Sequence, residues 1–202
     1  MPADNELQIF SKYKKNNFFL ETGAYLGDGI RQALLAGYEK IISIELSDHH
    51  FNLCTQKFHY HDNVKIVFGD SADVMLPVIM EIDEPITFWL DGHYSCGNTA
   101  LGKHWSPLLQ ELDAISQHPI NTHTIIVDDM RCWNSSPQHP FTWVEVEEKI
   151  KLINPKYVFN YFKTKEQHDA LTQKSWPEGL LGDILVATVD ETTPAKENPS
   201  HD

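Results

Sequence analysis

Five short apolar runs, each closed by an acidic residue, punctuate the first two thirds of the chain. Phe18-Phe19-Leu20 leads into Glu21, Ile41-Ile42-Ser43-Ile44 into Glu45, and Val64–Phe68 into Gly69-Asp70. Ile86–Leu90 leads into Asp91, and Thr124–Val127 into Asp128-Asp129. Runs this short, rich in Ile, Val and Phe, predict strands rather than helices. The stretches between them predict helices over Asp28–Ala36, from Ser47 or Asp48 onward, through Met75–Met80, over Pro107–Ser116 and over Val144–Ile153. Strands alternating with helices imply an α/β fold, a Rossmann-like, mostly parallel sheet with helices on both faces. Tyr157–Phe162 and Ile184–Val189 break that rhythm, because the stretch between them contains the turn-like Trp176-Pro177-Glu178-Gly179. The last of seven strands is therefore expected to run antiparallel. One domain is expected over residues 1–189, followed by a polar, disordered tail over 190–202.

A chain of 202 residues buries enough surface to fold without disulfides or structural zinc. Three cysteines, an odd number with no C-x-x-C pair, fit a reducing compartment. The polar amino terminus lacks the apolar core of a signal peptide, and no apolar run approaches a membrane span, so a cytoplasmic location is expected. Twenty-nine Asp and Glu against 16 Lys and Arg give a net charge of −13. That surplus argues against nucleic acid or an anionic membrane as partner, since phosphates are held by Lys and Arg.

In an open α/β sheet, ligands bind outside the carboxyl ends of the strands, where strand order reverses. Glu21, Glu45, Asp70, Asp91 and Asp128 all fall on that edge, although Asp70 equally reads as a helix cap before Ser71. The loop after the first strand carries Gly23 and Gly27, with Tyr25 where a dinucleotide site would have its second glycine. A bulky residue there disfavours a pyrophosphate and tolerates a ligand without phosphate. Glu45, at the tip of the second strand, is placed to accept hydrogen bonds from a ribose diol.

The series Glu21-x-Gly23-x-x-x-Gly27, Glu45, Gly69-Asp70-Ser71 and Asp91 resembles the class I S-adenosylmethionine-dependent methyltransferases. Phe88-Trp89-Leu90-Asp91-Gly92-His93-Tyr94-Ser95, followed by Ile126-Val127-Asp128-Asp129, is similar to the metal-dependent O-methyltransferases that act on macrolide sugars, the macrocin type. The resemblance implies S-adenosylmethionine as cofactor. It implies that Gly23, Tyr25 and Gly27 shape the loop around its amino-acid end and that Glu21 lies beneath. Glu45 would hold the ribose, and Asp70 and Ser71 the adenine. Asp91, Asp128 and Asp129 would share a hard divalent ion, Mg²⁺ before Mn²⁺ or Ca²⁺. His93 or Asp91 would take the proton of a small-molecule or sugar hydroxyl.

Other readings stay open. His93, Cys96, His104 and Cys132 form a possible zinc set without a recognisable spacing. The chain could be a cofactor-binding module without turnover, or methylate a non-hydroxyl acceptor, although no N/D-P-P-Y sequence follows the fourth strand. With at most one short helix before the first strand, the site would be open, closed by the 92–106 and 130–142 loops, or completed by a second copy in a homo-oligomer.

Overall fold

Alternation along the strands sorts the apolar residues into two layers. Leu20, Ile44, Phe88, Leu90, Ile125 and Val127 pack on one side of the sheet. Their immediate neighbours Phe19, Trp89 and Ile126 pack on the other. A parallel sheet must cover both faces, which is why its strands read as continuous apolar runs.

The computed structural model describes residues 3–162 and 177–190. The tail expected over 190–202 lies, apart from Asp190, outside the described residues, and so does Trp176 of the expected turn. The strands are β1 (Phe18–Thr22), β2 (Lys40–Glu45), β3 (Val64–Phe68), β4 (Ile86–Leu90), β5 (Thr124–Val127), β6 (Tyr157–Phe162) and β7 (Ile184–Val189). They form one sheet in the order β3-β2-β1-β4-β5-β7-β6. β7 runs antiparallel to both β5 and β6, while the pairs among β1 to β5 are parallel, as expected.

The helices are α1 (Ala3–Tyr13), α2 (Asp28–Leu35), α3 (Asp48–Lys57), α4 (Ser71–Ile79), α5 (Leu108–Ser116) and α6 (Trp143–Ile153). Met75 and Ile79 of α4, Leu112 and Ile115 of α5, and Val146 and Ile150 of α6 cover one face. Ile9 and Phe10 of α1, Ile30 and Ala33 of α2, and Cys54 of α3 cover the other. Phe10 meets Phe19 at 4.9 Å and Trp89 at 5.2 Å between ring centroids, which anchors α1 on the sheet. Burial of such side chains contributes about 1.5–3 kcal/mol each.

Among the boundaries that differ from the sequence reading, two bear on the site. β1 runs on to Thr22, which pairs with Ile44 and Leu90, so Glu21 lies inside the strand rather than beyond its tip. α4 begins at Ser71, earlier than its apolar residues announce, because the Asp70 carboxylate accepts the Ala72 amide at 3.1 Å and caps the helix. α3 is capped by Ser47. The turn before β7 is closed by Leu180 N–H donating to the Pro177 carbonyl at 3.2 Å.

Candidate functional site

β1 is flanked by β2 and β4, so the connections leave it in opposite directions. Such a reversal opens a crevice at the carboxyl ends of the strands. A cleft of about 500 Å³ lies there, and Gly23, Tyr25, Glu45, Asp70, Ser71 and Asp91 all line it. The other two residues expected to serve a cofactor, Glu21 and Gly27, do not line it. Gly27 faces Phe58 and Cys54 at the start of α2. Glu21 accepts the Ser43 hydroxyl at 2.7 Å and lies against Gly29. Burial pushes the Glu21 carboxyl up to about 8, against the Ser43 hydrogen bond.

The polar wall of the cleft is held by backbone donors. Glu45, 6% exposed, accepts the Tyr25 amide at 2.9 Å on one oxygen and the Ser47 amide at 2.7 Å on the other. Each oxygen keeps a second lone pair for a ligand. Asp70 accepts Ala72 N–H on Oδ1 and Lys103 N–H on Oδ2, both at 3.1 Å. Helix cap and cleft wall are thus the same residue. Three residues unmarked by the sequence reading add to this region, of which only His50 lines the cleft itself. His50, which is buried and stacks edge-on against Tyr25 at 4.7 Å, lines the cleft. Glu6 of α1 is pushed up to about 7 by burial, then by the nearby charge of Asp91 and Asp28.

Glu111 is the third. It is 1% exposed and accepts the Ser71 hydroxyl at 2.5 Å. Burial pushes its carboxyl up to about 7, against hydrogen bonds from Ser71 and Thr22. Thr22 Oγ1 in turn accepts the Asp91 amide at 3.3 Å. One signal pointed to it: Leu108, Glu111, Leu112 and Ile115 recur at helical spacing, and Glu111 is the polar member of that stripe.

The second constellation forms because β4 and β5 are paired, Leu90 opposite Val127. Ligand oxygens of Asp91, Asp128 and Asp129 lie within 4.8 Å of one another. His93 sits between two of them, its Nδ1 3.4 Å from Asp91 and its Nε2 3.1 Å from Asp129. Burial alone would lower the His93 pKa, but its bonds to Asp129 and Asp91 outweigh it and push it up to about 10. Without a ligand, His93 is therefore an imidazolium rather than a near-neutral imidazole. Arg131 pairs with Asp129 at 2.5 Å and with the buried Asp183, which precedes β7. Asp128 forms no ion pair among the described residues. Burial and the charges of Asp91 and Asp129 hold its carboxyl well above the usual range.

His93, Asp129 and Cys132 also gather within 4.8 Å, so half of the sequence's zinc set converges. Cys96 is exposed and takes no part in that group. The two loops beside this edge touch through rings, His93 to Trp133 at 5.8 Å and Trp105 to His139 at 6.5 Å.

No protein-family profile and no curated protein matches the chain in sequence. Solved structures match it in fold. An O-methyltransferase from Bacillus cereus in complex with SAH aligns with TM-score 0.62 and 14% identity, over 94% of this chain and 82% of that one. A candidate caffeoyl-CoA O-methyltransferase from Staphylococcus aureus aligns with TM-score 0.59 and 12% identity, over 93% and 82%. The 23S rRNA methyltransferase ErmE aligns with TM-score 0.56 and 13% identity, over 93% and 68%. The chain has the methyltransferase fold. Likeness at this identity fixes the architecture and leaves the chemistry to the site.

Proposed function

We propose that the chain is an S-adenosylmethionine-dependent methyltransferase that acts on the hydroxyl of a small molecule or sugar, with a divalent ion at the Asp91–Asp128–Asp129 edge. One observation carries the reading. Among the described residues the cleft is lined by Glu45, Asp70 and Asp91 and by no Lys or Arg. Three carboxylates against the single imidazolium of His93 leave the lining net negative, which repels a pyrophosphate and attracts a positively charged ligand with hydrogen-bond donors. S-adenosylmethionine meets that description through its sulfonium, ribose diol and adenine amino group, whereas NAD does not.

Each wall residue has a task. Glu45, immobilised by two amides, accepts from the ribose hydroxyls. Asp70 and Ser71 face the base. The Gly23–Tyr25 turn brings backbone close to the amino-acid end. The bound cofactor supplies an electrophilic methyl group. Asp91, Asp128 and Asp129 offer all-oxygen ligands, and the unpaired Asp128 suits the set to a hard cation, which would acidify a bound hydroxyl and orient it. Of the two candidate bases the Asp91 carboxylate takes the proton, because the His93 imidazolium 3.4 Å away has no lone pair to accept it. A cytoplasmic location and a lone or homo-oligomeric state accord with this chemistry. Among the described residues no helix is long and apolar enough to cross a membrane.

Calorimetry with S-adenosylmethionine, S-adenosylhomocysteine and NAD tests the proposal. Binding of the first two, weakened about 10-fold or more by Glu45→Gln, is expected, because a hydrogen bond to a charged group contributes about 1.5–3 kcal/mol. Binding of NAD in their place, or of none of the three, refutes it.

A further inference from the structure

Ser71 faces the cleft with its hydroxyl proton already committed. It donates to Glu111 at 2.5 Å, and the Thr22 hydroxyl donates to the same carboxylate. A serine hydroxyl has one proton and two lone pairs. With the proton turned inward, only lone pairs remain for a ligand. Thr22 shows the same logic, because its oxygen accepts the Asp91 amide at 3.3 Å.

Glu111 is an expensive residue to keep for structure alone. It is 1% exposed, on the apolar stripe of α5, with no ion pair among the described residues. A buried carboxylate held only by hydroxyls is generally less stable than an apolar side chain of similar volume. The charges nearest to it, Asp70 and Asp91, are both negative. Glu111 stands directly behind the cleft, since a Cβ on cleft-lining Gly92 would lie 3.1 Å from its Oε1.

We propose that Glu111 is a positioning residue that makes Ser71 a pure hydrogen-bond acceptor and so selects a nucleoside whose base presents an amino group rather than an oxo group. The inference rests on the nucleoside cofactor proposed above. Asp70, the neighbour of Ser71, is also an acceptor, so these two adjacent side chains offer lone pairs and no proton to the cleft. An amino group fills it with hydrogen bonds. An oxo group at the same place meets lone pairs with lone pairs, which leaves buried acceptors unpaired. A carboxamide at 111 ends the constraint, because its NH₂ can donate to Ser71 and free the hydroxyl proton to turn toward the ligand.

The test measures dissociation constants at pH 8 for S-adenosylhomocysteine and its deaminated analogue, in which an oxo group replaces the exocyclic amino group. Wild type, Glu111→Gln and Ser71→Ala are compared. Wild type is expected to prefer the amino compound by about 10-fold or more, the range of one charge-assisted hydrogen bond. Glu111→Gln should narrow the ratio at least fivefold, and so should Ser71→Ala, which keeps the test informative if the first variant fails to fold. The ratio isolates ligand selection, since a merely structural loss weakens both ligands alike. An unchanged ratio in a folded variant, or equal binding of both compounds to wild type, overturns the inference and leaves the methyltransferase proposal standing. Failure of wild type to bind either compound overturns both.

Discussion

Two glycines in the same backbone conformation allow the geometry of the cleft to be measured against an internal control. Gly23 has φ +84° and Gly37 has φ +82°, both in the left-handed region. A side chain there costs about 1–2 kcal/mol whatever surrounds it. Their surroundings differ. A Cβ at Gly37 meets nothing within 4 Å. A Cβ at Gly23 would sit 2.6 Å from the Asp91 carbonyl oxygen, 3.2 Å from its carbon and 3.3 Å from Gly92 Cα, all backbone atoms. Neither β1 nor β4 can yield easily, because Thr22 and Leu90 are paired directly across the clash. Overpacking of this kind adds about 1–3 kcal/mol. Gly37→Ala should thus cost about 1–2 kcal/mol and Gly23→Ala about 2–5. For a chain of this size each kcal/mol lowers Tm by about 2–4 °C. The clash forces apart the strand ends that form the cleft, so binding of S-adenosylhomocysteine should fall about 10-fold or more in Gly23→Ala and stay unchanged in Gly37→Ala. Thermal unfolding and calorimetry on the two variants make the check. Equal Tm losses with equal affinities would show that β1 and β4 do not approach in the manner described.

Removal of the unpaired charge at Asp128 gives a metal-dependent contrast. Asp128→Asn should match or exceed wild type in Tm in chelator and lose most of the rise that wild type shows on MgCl₂ titration, about 2.7 kcal/mol at a hundredfold excess over Kd. Identical Mg²⁺ responses would remove Asp128 from the ligand set. At the opposite end of the sheet, His123 is fully buried and accepts the Ile86 amide on Nδ1 at 3.0 Å. Burial, aided by His118, pushes its pKa down to about 4. It stays neutral in the fold, while the unfolded chain takes up a proton below about pH 6.5. Its contribution is therefore present above that pH and is lost as pH falls toward 4, to a total of about 3 kcal/mol. His123→Asn, which keeps an acceptor near the Nδ1 position, should flatten the fall in urea midpoint between pH 7 and 4. An unaltered slope would assign the acid sensitivity elsewhere.

The strands and the acid at each strand end were legible because period and punctuation are local properties. What a given acid touches is not local. Glu21 and Glu45 look alike in sequence, each after an apolar run, yet one is sealed against Ser43 and the other fixed by amides at the cleft wall. The difference is one residue of strand length, which only the pairing of Thr22 with its two neighbours decides. Asp70 posed cap against ligand as alternatives, but a carboxylate has lone pairs enough for both. His93 could be placed at the edge, whereas its charge depends on Asp129, thirty-six residues on and brought close by the β4–β5 pairing. Glu111 left a trace, a polar residue in an apolar stripe, but a trace of that kind has meaning only once Ser71 and Thr22 converge on it.

The acid surplus of the chain then takes on a physical sense that composition alone lacks. Surface carboxylates cost little, but Glu21 and Glu111 are buried and Asp128 is half-buried, and each has its pKa raised by loss of solvent. Natural domains are stable by only about 5–15 kcal/mol, so three such groups burden the unliganded fold appreciably. Their arrangement is directional. Arg131 and His93 neutralise part of the Asp91–Asp129 edge, while among the described residues no Lys or Arg lines the cleft beside it. A cationic ligand in the cleft and a divalent ion at the edge would each relieve repulsion that the protein leaves standing. Ligand affinity and fold stability are thus two readings of one electrostatic balance: whatever weakens that repulsion by mutation should stabilise the empty protein and weaken its hold on both ligands.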